Sequence, residues 1–121
     1  MNQRLIFNCT SGKEAPERAI LPFVAANVAA TAGLDATVVC TIEAVWLGTK
    51  GGADGVASPG LPALSTLMEE FRQNGGKVWL CGACTKPRGI TDEQTAPGVT
   101  IVGAATIVES IAKGAVPVAF A

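Results

Sequence analysis

Two cysteines three positions apart, Cys81 and Cys84, are followed closely by two cations, Lys86 and Arg88. The thiolate is the reactive form of a cysteine, and positive charge or helix N-terminal N–H groups favour it. Lys77-Val-Trp-Leu80 reads as a short buried strand, so Cys81 is expected at a strand's carboxyl end. Residues 82 to 86 carry no β-branched run and include Gly82 and Ala83, which suits a short helix beginning there. Its N–H groups, with Lys86 and Arg88 a turn or two away, would stabilise a nucleophilic sulfur on Cys81. In an open parallel sheet, ligands bind beyond the carboxyl ends of the strands, where this sulfur would lie.

Other chemistries fit the chain less well. With neither His nor Tyr in the sequence, every Ser-His, Cys-His and His-metal arrangement is excluded. The C-x-x-C pair also suits dithiol and disulfide exchange, although thioredoxin-type motifs open a helix after an early strand, and this pair lies two-thirds along the chain. Zinc or an iron-sulfur cluster would need ligands beyond Cys81 and Cys84. Cys9, at another expected strand end, is a candidate; Cys40 is expected inside a strand and facing the core. A bland reading makes Cys81 and Cys84 small core residues that only shape a loop. Cys9-Thr-Ser-Gly-Lys13 lacks the spacing of a phosphate loop and reads as a plain strand-to-helix turn. Glu43 has no carboxylate partner at catalytic spacing, and Trp46 with Leu47 suits core or subunit interface. No metal or other cofactor is expected.

The elements that must position these groups alternate between strand and helix. Arg4 to Cys9 is a buried strand, and a helix follows from Glu14, Pro16 and Glu17 to a stop at Gly33, with Ile20, Phe23, Val24 and Val28 at helical spacing. Ala36 to Ile42 is a continuous β-branched strand. Gly48 to Pro62 holds five Gly and two Pro and reads as a long loop of the kind that forms lids, binding loops or oligomer contacts. Leu61, Leu64, Met68 and Phe71 mark one face of a helix ending at Gly75-Gly76. Val99 to Gly103 is a fourth strand, Ala104, Ile107, Val108 and Ile111 form a last helical stripe, and Val116 to Phe120 is a fifth strand. Apolar strands alternating with helices imply a three-layer α/β/α fold around a mainly parallel sheet of about five strands, covered on both faces.

At 121 residues the chain fits a single domain, spanning 1–121. Nine Lys and Arg against ten Asp and Glu give a net charge of -1, without the basic excess that nucleic-acid binding requires. The longest apolar stretch, Ala19 to Ala32, is broken by Pro22, Asn27 and Thr31, and is too short to span a bilayer. Leu5-Ile-Phe7 is too short for a signal-peptide core, so cytoplasmic residence and free thiols are expected. Charged residues make up 16% of the chain, against about 25% in ordinary soluble domains, which points to surface covered by other subunits. The Val45-Trp46-Leu47 segment and its following loop are the expected contact.

Leu80-Cys81-Gly82-Ala83-Cys84-Thr85-Lys86-Pro87-Arg88-Gly89-Ile90 resembles the cysteine motif of the DsrE/DsrF/TusD-like sulfur-relay family, particularly its YchN-like branch. Ser11-Gly12-Lys13, Pro16-Glu17-Arg18-Ala19, Gly75-Gly76-Lys77-Val78 and Val99 to Ala104 extend the likeness over nearly the whole chain. The resemblance implies a small α/β protein that assembles as dimers, trimers or hexamers and exchanges sulfur with donor and acceptor proteins. It implies a persulfide on Cys81, which stands eight residues before Gly89 of the Arg-Gly pair. Cys84 matches the YchN-like branch alone. With this resemblance, Cys81 and Cys84 are the expected reactive residues, and Gly82, Lys86 and Arg88 the expected substrate contacts. Dithiol oxidoreduction and a non-catalytic, oligomeric interaction subunit are the alternatives.

Overall fold

A computed structural model describes residues 3–120. The strands are Arg4–Cys9 (β1), Asp35–Cys40 (β2), Lys77–Cys81 (β3), Val99–Val102 (β4) and Val116–Val118 (β5). The helices are Pro16–Thr31 (α1), Leu64–Gln73 (α2), Gly82–Thr85 (α3) and Ala104–Ala112 (α4). The strands lie in the order β4-β3-β2-β1-β5, and every pairing is parallel. Parallel neighbours need crossover connections, which is the role of the intervening helices. The first three connections step along the sheet in one direction, and the fourth returns past β1 to the other edge. Right-handed crossovers therefore place α1 and α2 on one face and α4 on the opposite face.

The two faces are unequally filled. Alternation along the strands sends Phe7, Cys9, Val38, Cys40, Val78 and Leu80 into the layer beneath α1 and α2. There Ile20, Phe23, Leu64 and Phe71 are completely buried. Phe23 and Phe71 meet edge to face, with ring centroids 6.2 Å apart, an arrangement that contributes about 0.5–1.5 kcal/mol beyond area burial. The other face holds a smaller apolar cluster of Ile6, Val39 and Ala115, with Trp79 and Ile107 half-buried against them.

The sequence places one stripe of α4 toward the core, and here the structure differs. Ser110 is the buried residue, whereas Val108 is 66% exposed and Ile111 39% exposed. Arg4 hydrogen-bonds the Ser110 hydroxyl, which fixes the polar side chain inward. Covering on this face is therefore partial, because one nine-residue helix spans a five-stranded sheet.

Three boundaries also shift. β2 stops at Cys40 rather than Ile42, because Ile42 takes a positive φ of 57° and opens a 3-10 turn over Ile42–Gly48. Val45 and Leu47 of that turn are buried in the main core, so that of the Val45-Trp46-Leu47 segment Trp46 alone faces outward. β5 ends at Val118 rather than Phe120. α2 begins at Leu64, and its end shows two glycines with separate tasks. Gly75 turns the chain at φ 89°, while a Cβ on Gly76 would sit 2.2 Å from the Phe71 ring.

Candidate functional site

Cys81 is the last residue of β3 and the residue from which α3 starts, as the sequence anticipates. α3 is a single turn, so it aligns few peptide dipoles at this sulfur. Cys81 is 8% exposed and lies, by alternation from Leu80, on the face occupied by Trp79 rather than in the main core. Cys84 is half-buried and packs against the main core cluster. The motif's two side chains thus serve different layers, and both thiols are free.

Its neighbours divide in the same way. Lys86 is exposed and, among the described residues, makes no ion pair. Gly82 and Lys86 share an open groove with Thr85, Ile90, Thr91 and Asp92. A Cβ on Gly82 would lie 3.3 Å from the Val102 carbonyl, so glycine lets α3 settle onto the end of β4. Arg88 turns elsewhere. Its Nη1 donates to the Cys84 carbonyl at 3.1 Å, and its Nε and Nη2 donate to Glu43 Oε1 at 3.3 and 3.1 Å. Arg88 thus fastens the cysteine loop to the turn after β2, and sequence reasoning missed Glu43 as its partner because the two lie far apart in the chain. Gly89 follows at φ 72°, reversing the chain immediately after the clamp.

Cys9 and Cys40 are also brought together, which the sequence did not suggest. They are register partners across β1 and β2, both completely buried. Hydrogen bonding to Cys9 and then burial hold the Cys40 thiol well above the ordinary thiol range. Cys9 Sγ also points at the Ser11 and Ala19 carbonyls, at 3.6 and 3.7 Å. This pair stands in the core beneath α1, with Cys40 on the strand next to β3 but on the opposite face of the sheet from Cys81, and does not complete a ligand set with it. Among the described residues there is no group of three or more His, Cys, Asp or Glu placed to hold a metal ion. The β1–α1 turn is closed by its own acid, with Gly12 N–H donating to Glu14 Oε1 at 2.9 Å, as befits a plain turn.

Comparison with known proteins identifies the chain's relatives. The DsrE/DsrF-like family model matches residues 3–120. The chain belongs to the DsrE/DsrF-like family. That family is associated with sulfur relay, and its members work with partner proteins. An uncharacterized protein of Methanocaldococcus jannaschii, MJ0760, is 30% identical over 104 residues, which are 86% of this DsrE/DsrF-like chain and 38% of that relative. The chain therefore spans well under half the relative's length. The crystal structure of the ychN protein from E. coli superposes with a TM-score of 0.79 at 20% identity, covering 98% of this chain and 99% of that one. MTH1491 of Methanobacterium thermoautotrophicum, a protein of unknown function, superposes at 0.75 with 17% identity and the same coverage. Both share the DsrE/DsrF-like fold described above. No helix among the described residues is long and apolar enough to cross a membrane.

Proposed function

We propose that this protein is a sulfur carrier that holds a persulfide on Cys81 and passes it between partner proteins. The observation that supports the reading is the position of Cys81 at the carboxyl end of β3, one residue before Gly82, which lines an open groove, in a chain of a family associated with sulfur relay. In loading, the Cys81 thiolate attacks the outer sulfur of a donor's persulfide. A bond from Cys81 Sγ to that sulfur forms, the donor's sulfur-sulfur bond breaks, and the donor cysteine leaves as thiolate with the electron pair. Unloading is the same exchange with an acceptor thiolate, so no net oxidation occurs.

Burial shapes this chemistry. Cys81 Sγ offers little surface, but a persulfide extends it by one sulfur-sulfur bond, about 2.05 Å, toward an approaching acceptor. Lys86 is the one cation lining the groove next to the motif, which Asp92 and Glu93 also line. Arg88 is a positioning residue, because its guanidinium is committed to Glu43 and the Cys84 carbonyl. A second copy of the chain covers the partly filled sheet face around Trp79, Val108 and Ile111 in this reading, which accords with the low charge content.

Intact mass measurement after exposure to a sulfane donor tests the carrier. The expected product is an adduct of about 32 Da, one sulfur, that is reversed by a thiol reductant, is absent in Cys81→Ser and remains in Cys84→Ser. An adduct that survives Cys81→Ser overturns the assignment, as does no adduct on the native chain.

A further inference from the structure

A second site lies apart from the cysteine motif. A cavity of about 390 Å³ opens among Lys13, Glu43, Trp46, Thr49, Gly52 and Asp54. Lys13 belongs to the turn after β1, and the other residues follow β2, so the cavity sits beyond the carboxyl ends of two neighbouring strands. Its volume lies at the lower end of the range for small-molecule sites, about 300–1,000 Å³.

The walls are held in place. A Cβ on Gly52 would lie 1.8 Å from the Trp46 carbonyl, so the loop closes directly over that backbone, which no other residue permits without displacement. Thr49 Oγ1 donates to the same carbonyl at 2.6 Å. On the outer side, Lys50 N–H donates to the Gln94 carbonyl and Ala96 N–H to the Gly48 carbonyl, both at 2.8 Å. A wall built before the ligand arrives spares the cost of ordering it.

The charges define what such a wall recognises. Among the described residues neither Lys13 nor Asp54 makes an ion pair, so one cation and one anion of the lining are uncommitted. Glu43 gives only Oε1 to Arg88, which offsets its charge and leaves Oε2 outside that pair. Trp46, 39% exposed, adds an indole face that attracts ammonium groups and covers short aliphatic chains. A simple anion would meet two carboxylates, and a simple cation would meet Lys13. A ligand carrying both an ammonium and a carboxylate satisfies each.

We propose that this cavity binds a small zwitterionic aminocarboxylate, its carboxylate on Lys13 and its ammonium between Asp54 and Trp46. The inference concerns a separate cavity and does not depend on sulfur transfer at Cys81. The test is NMR titration of the full ¹⁵N-labelled chain with L-alanine, acetate and methylammonium in parallel, with the Trp46 indole signal assigned through Trp79→Phe. L-Alanine is expected to shift the Trp46 indole and the Gly51 and Gly52 amides saturably, with acetate and methylammonium weaker by about tenfold or more. Lys13→Ala and Asp54→Asn are each expected to weaken L-alanine by a similar factor while leaving the remaining spectrum in place. Absence of a saturable shift below about 10 mM, equal shifts from either half-ligand, or binding unchanged by both substitutions would overturn the proposal.

Discussion

Arg88 Nη2 stands 3.1 Å from Glu43 Oε1, while Nη1 of the same guanidinium donates to the carbonyl of Cys84. One planar cation thereby joins the turn after β2 to the loop after β3. A lysine, with a single ammonium, cannot make both connections in this geometry.

Arg88→Ala is expected to speed amide hydrogen exchange in residues 84–90, and Arg88→Lys to restore little of the lost protection. Since both side chains are partly exposed, the stability change should be no more than about 1 kcal/mol. Exchange mass spectrometry together with urea unfolding separates the two effects. Unchanged protection in Arg88→Ala would show that the clamp does not hold the loop.

The buried Cys40 thiol gives a pH dependence. Its native pKa is raised, so it stays protonated where the unfolded chain's thiol, near pKa 8.5, ionises. Above that pH the native state holds more protons than the unfolded state, and stability falls as pH rises toward the native value, by up to about 1.4 kcal/mol per pH unit for one group. Below about pH 8 the contribution is complete and flat. Urea unfolding from pH 7 to 10 should show this decline, reduced in Cys40→Val; identical slopes would contradict it.

Packing at the end of α2 predicts a sharp response to one methyl group. Gly76→Ala places a Cβ 2.2 Å from the Phe71 ring, which must move against Phe23. The expected loss is about 1–3 kcal/mol, whereas Phe71→Ala, which leaves a cavity, should lose about 3–5 kcal/mol. Thermal or urea unfolding gives both values.

Self-association through the α4 face predicts that Val108→Glu shifts the native mass in light scattering toward a 12.3 kDa monomer. Val108 is 66% exposed, so the fold itself should persist by circular dichroism. Trp46→Glu is expected to leave the assembly intact. The reverse pattern would return the interface to the 3-10 turn after β2.

Local periodicity made the strand-helix alternation legible, and the position of Cys81 followed from a short apolar run meeting Gly82. Glu14, Pro16 and Glu17 marked the start of α1, which opens at Pro16, whose fixed φ and missing N–H suit that place, and leaves Glu14 in the turn before it. The role of Arg88 was not legible, since its partner is 45 residues away and only the fold brings Glu43 into reach. The Cys9–Cys40 pairing depends on strand register, which no spacing within one strand encodes. Likewise, Val45 and Leu47 look like exposed contact residues until Ile42 turns the segment inward.

The two margins of the sheet differ in what they offer to another chain. β5 is three residues long and contains Pro117, which has no N–H to donate, so that margin is a poor template for an added strand. β4, Val99-Thr-Ile-Val102, carries neither proline nor charge and presents a continuous β-branched backbone. Any strand addition is therefore confined to one side, where two molecules can join back to back and then have no receptive margin left. Edge growth of that kind would end at a pair, halted at the far side by the missing N–H of Pro117.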